Sequence, residues 1–226
     1  LVTGVYGAVA IMAALVGRSQ TGQGDHIDLA MLDVQVGLLA NQAMNYLLSG
    51  NTPKRTGTAH PNIQPQRIFD CRNGQIVLVV GNDGQFQALC DVLGHPELKD
   101  DERFITNGKR VMNQSALDPI LDAAFLSQDR EHWLARLEEA GIPAGPINSI
   151  PEVFNEPQVV HREMLRHLPH PLAGTVPQVM SPLRLARAPL KTDTPPPLLG
   201  QHTDEVLGGL GFSSEEIESL RRRKVV

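Results

Sequence analysis

The sequence predicts a mixed α/β chain, and three observations carry that prediction. Apolar residues recur at helical spacing through Val5, Val9, Met12, Ala13 and Val16, and a turn then leads into an alternating, strand-like pattern at His26–Leu29. Asn73-Gly74, the strongest short hairpin signal in the chain, separates two β-rich runs that helical segments follow. Proline from His167 to Pro197 then interrupts regular structure before helix returns near the C-terminus.

In the first helix, Gly4, Gly7, Ala8, Ala10 and Ala14 fill the gaps between the larger residues and would admit a neighbouring backbone closely. Gly17 is placed to end it, and Thr21-Gly22-Gln23-Gly24 supplies turn chemistry. A second helix is expected over about Met31–Leu48, with Leu32, Val36, Leu39, Ala43 and Leu47 as its apolar stripe and Gly50-Asn51 at its end. Thr52–Gln66 has three prolines and little to anchor a core, so it reads as a linker or a functional loop.

Strands are expected at Arg67–Cys71 and Gln75–Val80. Helices follow at about Gln85–Leu93, stopped by Gly94, at Arg110–Leu126, and at Gln128–Ala140, with Ser127 as N-cap and Gly141 as terminator. Arg67–Ala140 is thus a small α+β unit, after which Gly141-Ile142-Pro143-Ala144-Gly145-Pro146 should break regularity completely. Pro151 begins a short helix that Asn155-Glu156-Pro157 interrupts, and His167–Pro197 should be extended chain with short strands at best. Thr203 starts a helix across Val206–Leu210, and Ser213 with Glu216 forms a capping box for one across Glu215–Arg222.

Composition narrows the function classes. The chain has 226 residues, 41% hydrophobic content and a net charge of −5, which argues against nucleic acid or an anionic membrane as its main partner. Arg221-Arg222-Arg223-Lys224 is the only basic run, and it lies where cations favour a helix C-terminus. Cys71 and Cys90 lack metal or redox spacing, so a reducing, cytoplasmic compartment is expected. The apolar run Val5–Val16 is short of the roughly 20 residues that span a bilayer, and no basic lead or cleavage site marks it as a signal peptide. The chain opens directly on an apolar helix, from which we expect it to be the later part of a longer polypeptide.

Few residues offer chemistry. His161, His167 and His170 lack the spacing of a metal site, and Thr21-Gly22-Gln23-Gly24 precedes a strand where a phosphate loop would precede a helix. Asp28 and Asp33 read as structural acids at a helix start, the alternative being a catalytic pair. The loop Thr56–Gln66 is the irregular stretch densest in hydrogen-bonding side chains: Thr56, Thr58, His60, Asn62 and Gln64. It is either ligand-facing or a plain linker.

Several motifs occur in a telling order: Gly4 with its apolar helix, Thr21-Gly22-Gln23-Gly24 leading into HIDLAMLD, and Gly57-Thr58-Ala59-His60-Pro61-Asn62-Ile63. NGQIVLVVGNDGQF, Gly141–Pro146 and PPLLGQHTDEVLGGLG complete the series. In this order the chain resembles the family III CoA-transferases, over essentially its whole length. The resemblance implies a large Rossmann-like CoA-binding domain, of which residues 1–31 are part, a helix with a linker and active-site loop at 32–66, and a small α+β domain at 67–150. Residues 151–226 would be a linker and a return to the large domain, in an interlocked homodimer. It further implies transfer of CoA from an acyl-CoA thioester to a carboxylic acid through an aspartyl anhydride and an aspartyl-CoA thioester, with no bound cofactor or metal.

The family's nucleophilic Asp lies four residues before the glycine matched by Gly4, and so falls immediately before Leu1. No catalytic residue is therefore expected within these 226 positions. His60, Asn62 and Thr58 are expected to contact substrate, and Met31 to lie near the CoA moiety. His60-Pro61-Asn62-Ile63 stands where formyl-CoA transferases carry a mobile glycine-rich loop, its glycines here replaced. The α-methylacyl-CoA racemases share the fold and the Asp and are the alternative, as is a non-catalytic piece that only completes the dimer.

Overall fold

The computed structural model describes residues 1–190 and 193–226. Lys191 and Thr192, within the proline-rich stretch expected to be extended, lie outside the described residues. The chain opens with helix α1 (Val2–Thr21). It runs straight through Gly17 and ends at Gly22, which takes a left-handed φ of 75°. Gly17 costs a helix interior only about 1 kcal/mol, whereas an end is set where the backbone needs the left-handed conformation. At 20 residues α1 is long and apolar enough, by length and composition alone, to cross a membrane, which the apolar run Val5–Val16 did not suggest.

His26–Leu29 forms no strand. The segment has no regular structure and pairs with no strand among the described residues, and alternation alone cannot satisfy a strand's backbone groups. It lies across α1, where Leu29 Cδ2 comes within 3.7 Å of the position a Cβ on Gly7 would occupy. The expected second helix is two, α2 (Met31–Gly37) and α3 (Ala40–Ser49), with a break at Leu38-Leu39 and Ala40 at φ 46°. Gly50, φ 72°, ends α3.

The hairpin forms from β1 (Gln66–Cys71) and β2 (Gly74–Val79), antiparallel with Cys71 opposite Gly74. Its turn residues are Arg72 and Asn73, and neither has a positive φ. The turn is therefore not the mirror-image type that Asn-Gly favours. Gly74 is needed for space, because a Cβ there would sit 3.1 Å from Arg130 Cδ. A third strand, β3 (Ala144–Pro146), pairs antiparallel with β2, where irregular chain was expected. Pro143 and Pro146 mask it in the sequence, yet Pro is tolerated on an edge strand.

Helix α4 (Asp83–Leu93) starts at Asn82, whose side chain accepts the Gln85 N–H, and ends at Gly94 with φ 76°. A short 3₁₀ turn at Pro96–Lys99 follows. The expected Arg110–Leu126 helix is split into α5 (Asn107–Met112), capped by Thr106, and α6 (Gln114–Leu126). Helix α7 (Arg130–Glu139) is preceded by Asp129 as N-cap residue rather than Ser127. These starts differ from the expected ones by three and two residues: the Thr106 side chain caps α5 by accepting the Lys109 N–H, whereas Asp129 makes no capping bond and accepts from Arg72 instead.

The continuous core lies between these elements. Phe69, Ile76 and Leu78 of the sheet meet Phe86 and Leu89 of α4, Leu117, Leu121 and Phe125 of α6, and Trp133 and Leu137 of α7. Phe125 packs between Phe69 and Trp133, with ring centroids 4.6 and 5.4 Å away, and its carbonyl accepts the Trp133 indole N–H at 2.7 Å. Arg67 closes the outer edge, with its guanidinium 3.9 Å over Phe69 and bonded to Asp118 and Asp122 of α6.

Beyond this core come α8 (Ile150–Asn155) and α9 (Pro157–His161), then a hairpin of β4 (Leu165–His170) and β5 (Gly174–Val179). His170 Nδ1 accepts the Leu172 and Ala173 N–H groups in its turn. The prolines in these strands, Pro169 and Pro177, stand in a two-stranded ribbon with free edges, where a missing donor costs little. Helices α10 (Thr203–Gly209) and α11 (Ser214–Arg222) follow, with the Ser213–Glu216 capping box in place. Arg221, of the basic run at the C-terminal end of α11, joins the two helices through Asp204 at 2.6 Å.

Both sheets are antiparallel, and no parallel pairing occurs among the described residues. The surface area is 16049 Å², against roughly 10,000 Å² for a folded monomer of this mass. Much of that surplus is on α1, α2 and α3, where Val5, Val9, Met12, Leu32, Leu39 and Leu47 are all exposed.

Candidate functional site

The loop 56–66 is built between α3 and the packed core. Thr56 turns it: its hydroxyl donates to the Ala59 carbonyl at 2.9 Å, and its own carbonyl accepts the Ala59 N–H. Thr58 Oγ1 accepts the Ile68 N–H at 3.2 Å, which ties the loop to β1 and commits that oxygen to structure. The His60 N–H reaches the Gln66 carbonyl at 2.9 Å, closing the loop on itself.

His60 and Asn62 face α3. His60 Nδ1 accepts the Asn62 N–H at 3.1 Å, so a neutral ring carries its proton on Nε2. That nitrogen lies 3.4 Å from the Asn41 side-chain amide. A donor–acceptor match there needs the Asn41 amide turned so that its oxygen faces the ring, a turn that leaves its shape unchanged. One helical turn on, the Asn45 and Asn62 side chains form a reciprocal amide pair, with bonds of 3.2 and 3.1 Å. Asn41 and Asn45 were not anticipated. Their i, i+4 spacing on the polar side of an amphipathic helix was the available signal.

From the core side, Asn107 at the start of α5 grips the loop backbone twice. Its Nδ2 donates to the Asn62 carbonyl at 2.8 Å, and its Oδ1 accepts the Gln64 N–H at 3.0 Å. Arg110, one turn later and 0% exposed, donates from Nε to the Gln64 carbonyl and from Nη1 to the Phe104 carbonyl, at 2.8 and 2.9 Å. Its Nη2 meets Asp83 Oδ1 at 2.8 Å, and its guanidinium lies 4.4 Å over the Phe86 ring. The same Asp83 oxygen accepts the Asn107 N–H at 3.0 Å. Gln64 is 1% exposed; its Nε2 donates to the His60 carbonyl, while its Oε1 has no partner. Arg110 could not be recognised from sequence, since a lone arginine in a helical run reads as surface.

His60 and Asn62 are therefore brought together on a surface lined with neutral amides and one imidazole, all able to donate hydrogen bonds to an anionic oxygen. Thr58 stands on the far side of the loop, against β1. Met31 begins α2 with its side chain 73% exposed, and Val34 is the buried residue of that helix. Asp33 lies in the first turn of α2, and Asp28 is exposed in the irregular chain ahead of it. Burial pushes the Cys71 and Cys90 thiols up to about 11, which removes both as nucleophiles near neutrality. Among the described residues no group of three or more metal-ligating side chains converges.

Comparison with known proteins supplies the context of this loop. The chain is 43% identical over 220 residues to the succinate–glutarate CoA-transferase of Agrobacterium fabrum (strain C58), covering 97% of this chain and 53% of that protein. It is 41% identical over 221 residues to the succinyl-CoA:glutarate CoA-transferase of Mus musculus, covering 97% and 51%. A crystal structure of a CAIB/BAIF family protein from Brucella suis superposes with a TM-score of 0.74 at 44% identity, over 92% of this chain and 54% of that one. The chain thus spans about half the length of the curated relatives it matches. The profile of CoA-transferase family III matches residues 1–203, and the chain belongs to that family.

Proposed function

We propose that the polypeptide carrying this chain is a CoA-transferase that moves CoA from an acyl-CoA thioester to a carboxylic acid. The observation that carries the reading is the family match across residues 1–203. The activities for which the two relatives above are named, both transfers between dicarboxylic acids, agree with it. In this reading an aspartate just upstream of Leu1 attacks the thioester carbonyl, giving an acyl-aspartyl anhydride and CoA thiolate. The thiolate then attacks the aspartyl carbonyl, releasing the donor acid and leaving an aspartyl-CoA thioester. The acceptor carboxylate attacks that thioester, giving a second anhydride and expelling CoA thiolate. The thiolate then attacks the acceptor's acyl carbonyl, forming the product thioester and freeing the aspartate, and the thioester's energy is conserved as long as water is kept out.

The residues of this chain bind and orient. The Asn62 amide, which keeps one N–H beyond its Asn45 pair, and His60 Nε2–H, which would exchange its Asn41 contact for the ligand, are neutral donors suited to a carboxylate oxygen without the cost of burying an ion pair. Thr58 anchors the loop to β1 and keeps its hydroxyl proton available. Met31 stands exposed where an adenine or pantetheine portion could lie against its thioether. The exposed apolar faces of α1–α3 would be covered by the large domain and the partner of a homodimer. Two buried, unpaired thiols fit a reducing, cytoplasmic compartment.

Hydroxylamine trapping tests the mechanism. The full-length polypeptide incubated with acyl-CoA and hydroxylamine should yield a hydroxamate on the aspartate preceding Leu1, found by peptide mass spectrometry. Exchange of the acyl α-proton with no transfer would point to racemisation instead, and no reaction would point to a non-catalytic role. In a steady-state transfer assay with the acceptor acid varied, His60→Ala and Asn62→Ala should each raise the KM for that acid.

A further inference from the structure

We propose that Asn107 is a positioning residue for the transfer reaction: it sets the height of the His60–Asn62 loop above the core through its two side-chain bonds. The proposal rests on the reading of that loop as the carboxylate-facing element. Its basis is an asymmetry between the loop's two attachments. Toward α3 the loop is held by an exposed amide pair and one 3.4 Å contact. Toward the core it is held by Asn107, which bonds the backbone on both sides of Ile63, with donor and acceptor used once each.

The orientation of Asn107 is in turn predetermined. Its own N–H goes to Asp83, and Asp83 is held by the buried guanidinium of Arg110, which also takes the Gln64 carbonyl. The core therefore dictates the loop backbone at 62–64, while α3 only meets its side chains. A side chain whose rotamer is locked by surrounding hydrogen bonds is what keeps a substrate-contacting group within productive geometry.

Asn107→Ala removes both loop bonds. It leaves the Thr106 cap, the Asp83–Asn107 backbone bond and the Arg110 network in place, so the core is not dismantled. Two neutral hydrogen bonds at about 1 kcal/mol each correspond to a roughly 30-fold effect. In the full-length polypeptide, at a temperature where circular dichroism shows both proteins folded, the variant should raise the KM for the acceptor acid by roughly that factor. The KM for the donor thioester should stay unchanged, and the Gln64 amide should exchange with solvent roughly tenfold faster.

Unchanged exchange at Gln64 overturns the proposal, as does a rise in both KM values together, which a merely structural role would produce. If His60→Ala and Asn62→Ala leave the acid KM untouched, the loop reading fails, and the exchange rate still decides whether Asn107 holds the loop.

Discussion

Arg110→Met separates two ways in which a buried arginine can stabilise a fold. Methionine nearly matches the arginine stem, keeps a polarizable group against Phe86, and opens little cavity. What it removes is three donors. Asp83 is half exposed and still accepts the Asn107 N–H, so it can be rehydrated at little cost. The Gln64 and Phe104 carbonyls are different, because Gln64 is 1% and Phe104 0% exposed. Stranding a buried carbonyl costs about 1–3 kcal/mol, so the two together cost about 2–6 kcal/mol. Relief from desolvating the guanidinium offsets part of this. A net loss of about 3 kcal/mol is expected.

The chain has one tryptophan, and Trp133 stands in the same core, 5% exposed. Its fluorescence can therefore follow urea unfolding of that core directly. With an m-value of about 2 kcal/mol per molar urea, the midpoint should fall by about 1.5 M. Asp83→Asn, which weakens the ion pair but spares both carbonyls, should lower it by less than about 0.5 M. If Arg110→Met stays within about 0.3 M of the parent while Asp83→Asn falls further, the pair and not the carbonyls holds this region, and the reasoning fails.

Other consequences follow from the same geometry. With thiols raised to about 11, Cys71 and Cys90 should not react with a thiol-exchange reagent at pH 8 until urea unfolds the core, when both should; rapid labelling of the native protein would contradict this. Glu152 accepts the Ser149 N–H and hydroxyl and meets Arg130, which lowers its carboxyl from 4.5 to about 2. A depressed carboxylate contributes stability above its unfolded value and loses it as pH falls through the folded one. The thermal midpoint should accordingly decline between about pH 4.5 and 2, and Glu152→Gln should flatten that decline; an unchanged slope would exclude Glu152 as a source.

Much of the local structure was legible because its causes are local. Gly50, Gly94 and the Ser213–Glu216 box mark helix boundaries by backbone conformation and side-chain capping within four residues. The hairpin was legible for the same reason, although its turn type was not, since Gly74 answers to the approach of Arg130 from a helix 56 positions on. Strands without local marks were misjudged in both directions. His26–Leu29 alternates yet has no strand partner among the described residues, whereas Ala144–Pro146 has no alternation and becomes a strand because the β2 edge offers it hydrogen bonds.

The sequence by itself determined the β1–β2 hairpin, the helix ends at Gly50 and Gly94, and the loop in which His60 and Asn62 occur, whereas the apolar stripes it marked from Val5 to Val16 and from Leu32 to Leu47 stand largely exposed outside the core. Only the tertiary structure decided what holds that loop. Asn41, Asn45, Asp83, Asn107 and Arg110 come from three separate helices, and none carries a signature of its own. The physical reason is that a hydrogen-bonding side chain acquires its role from whichever donor or acceptor folding brings within about 3 Å, and that distance is set by packing far away along the chain.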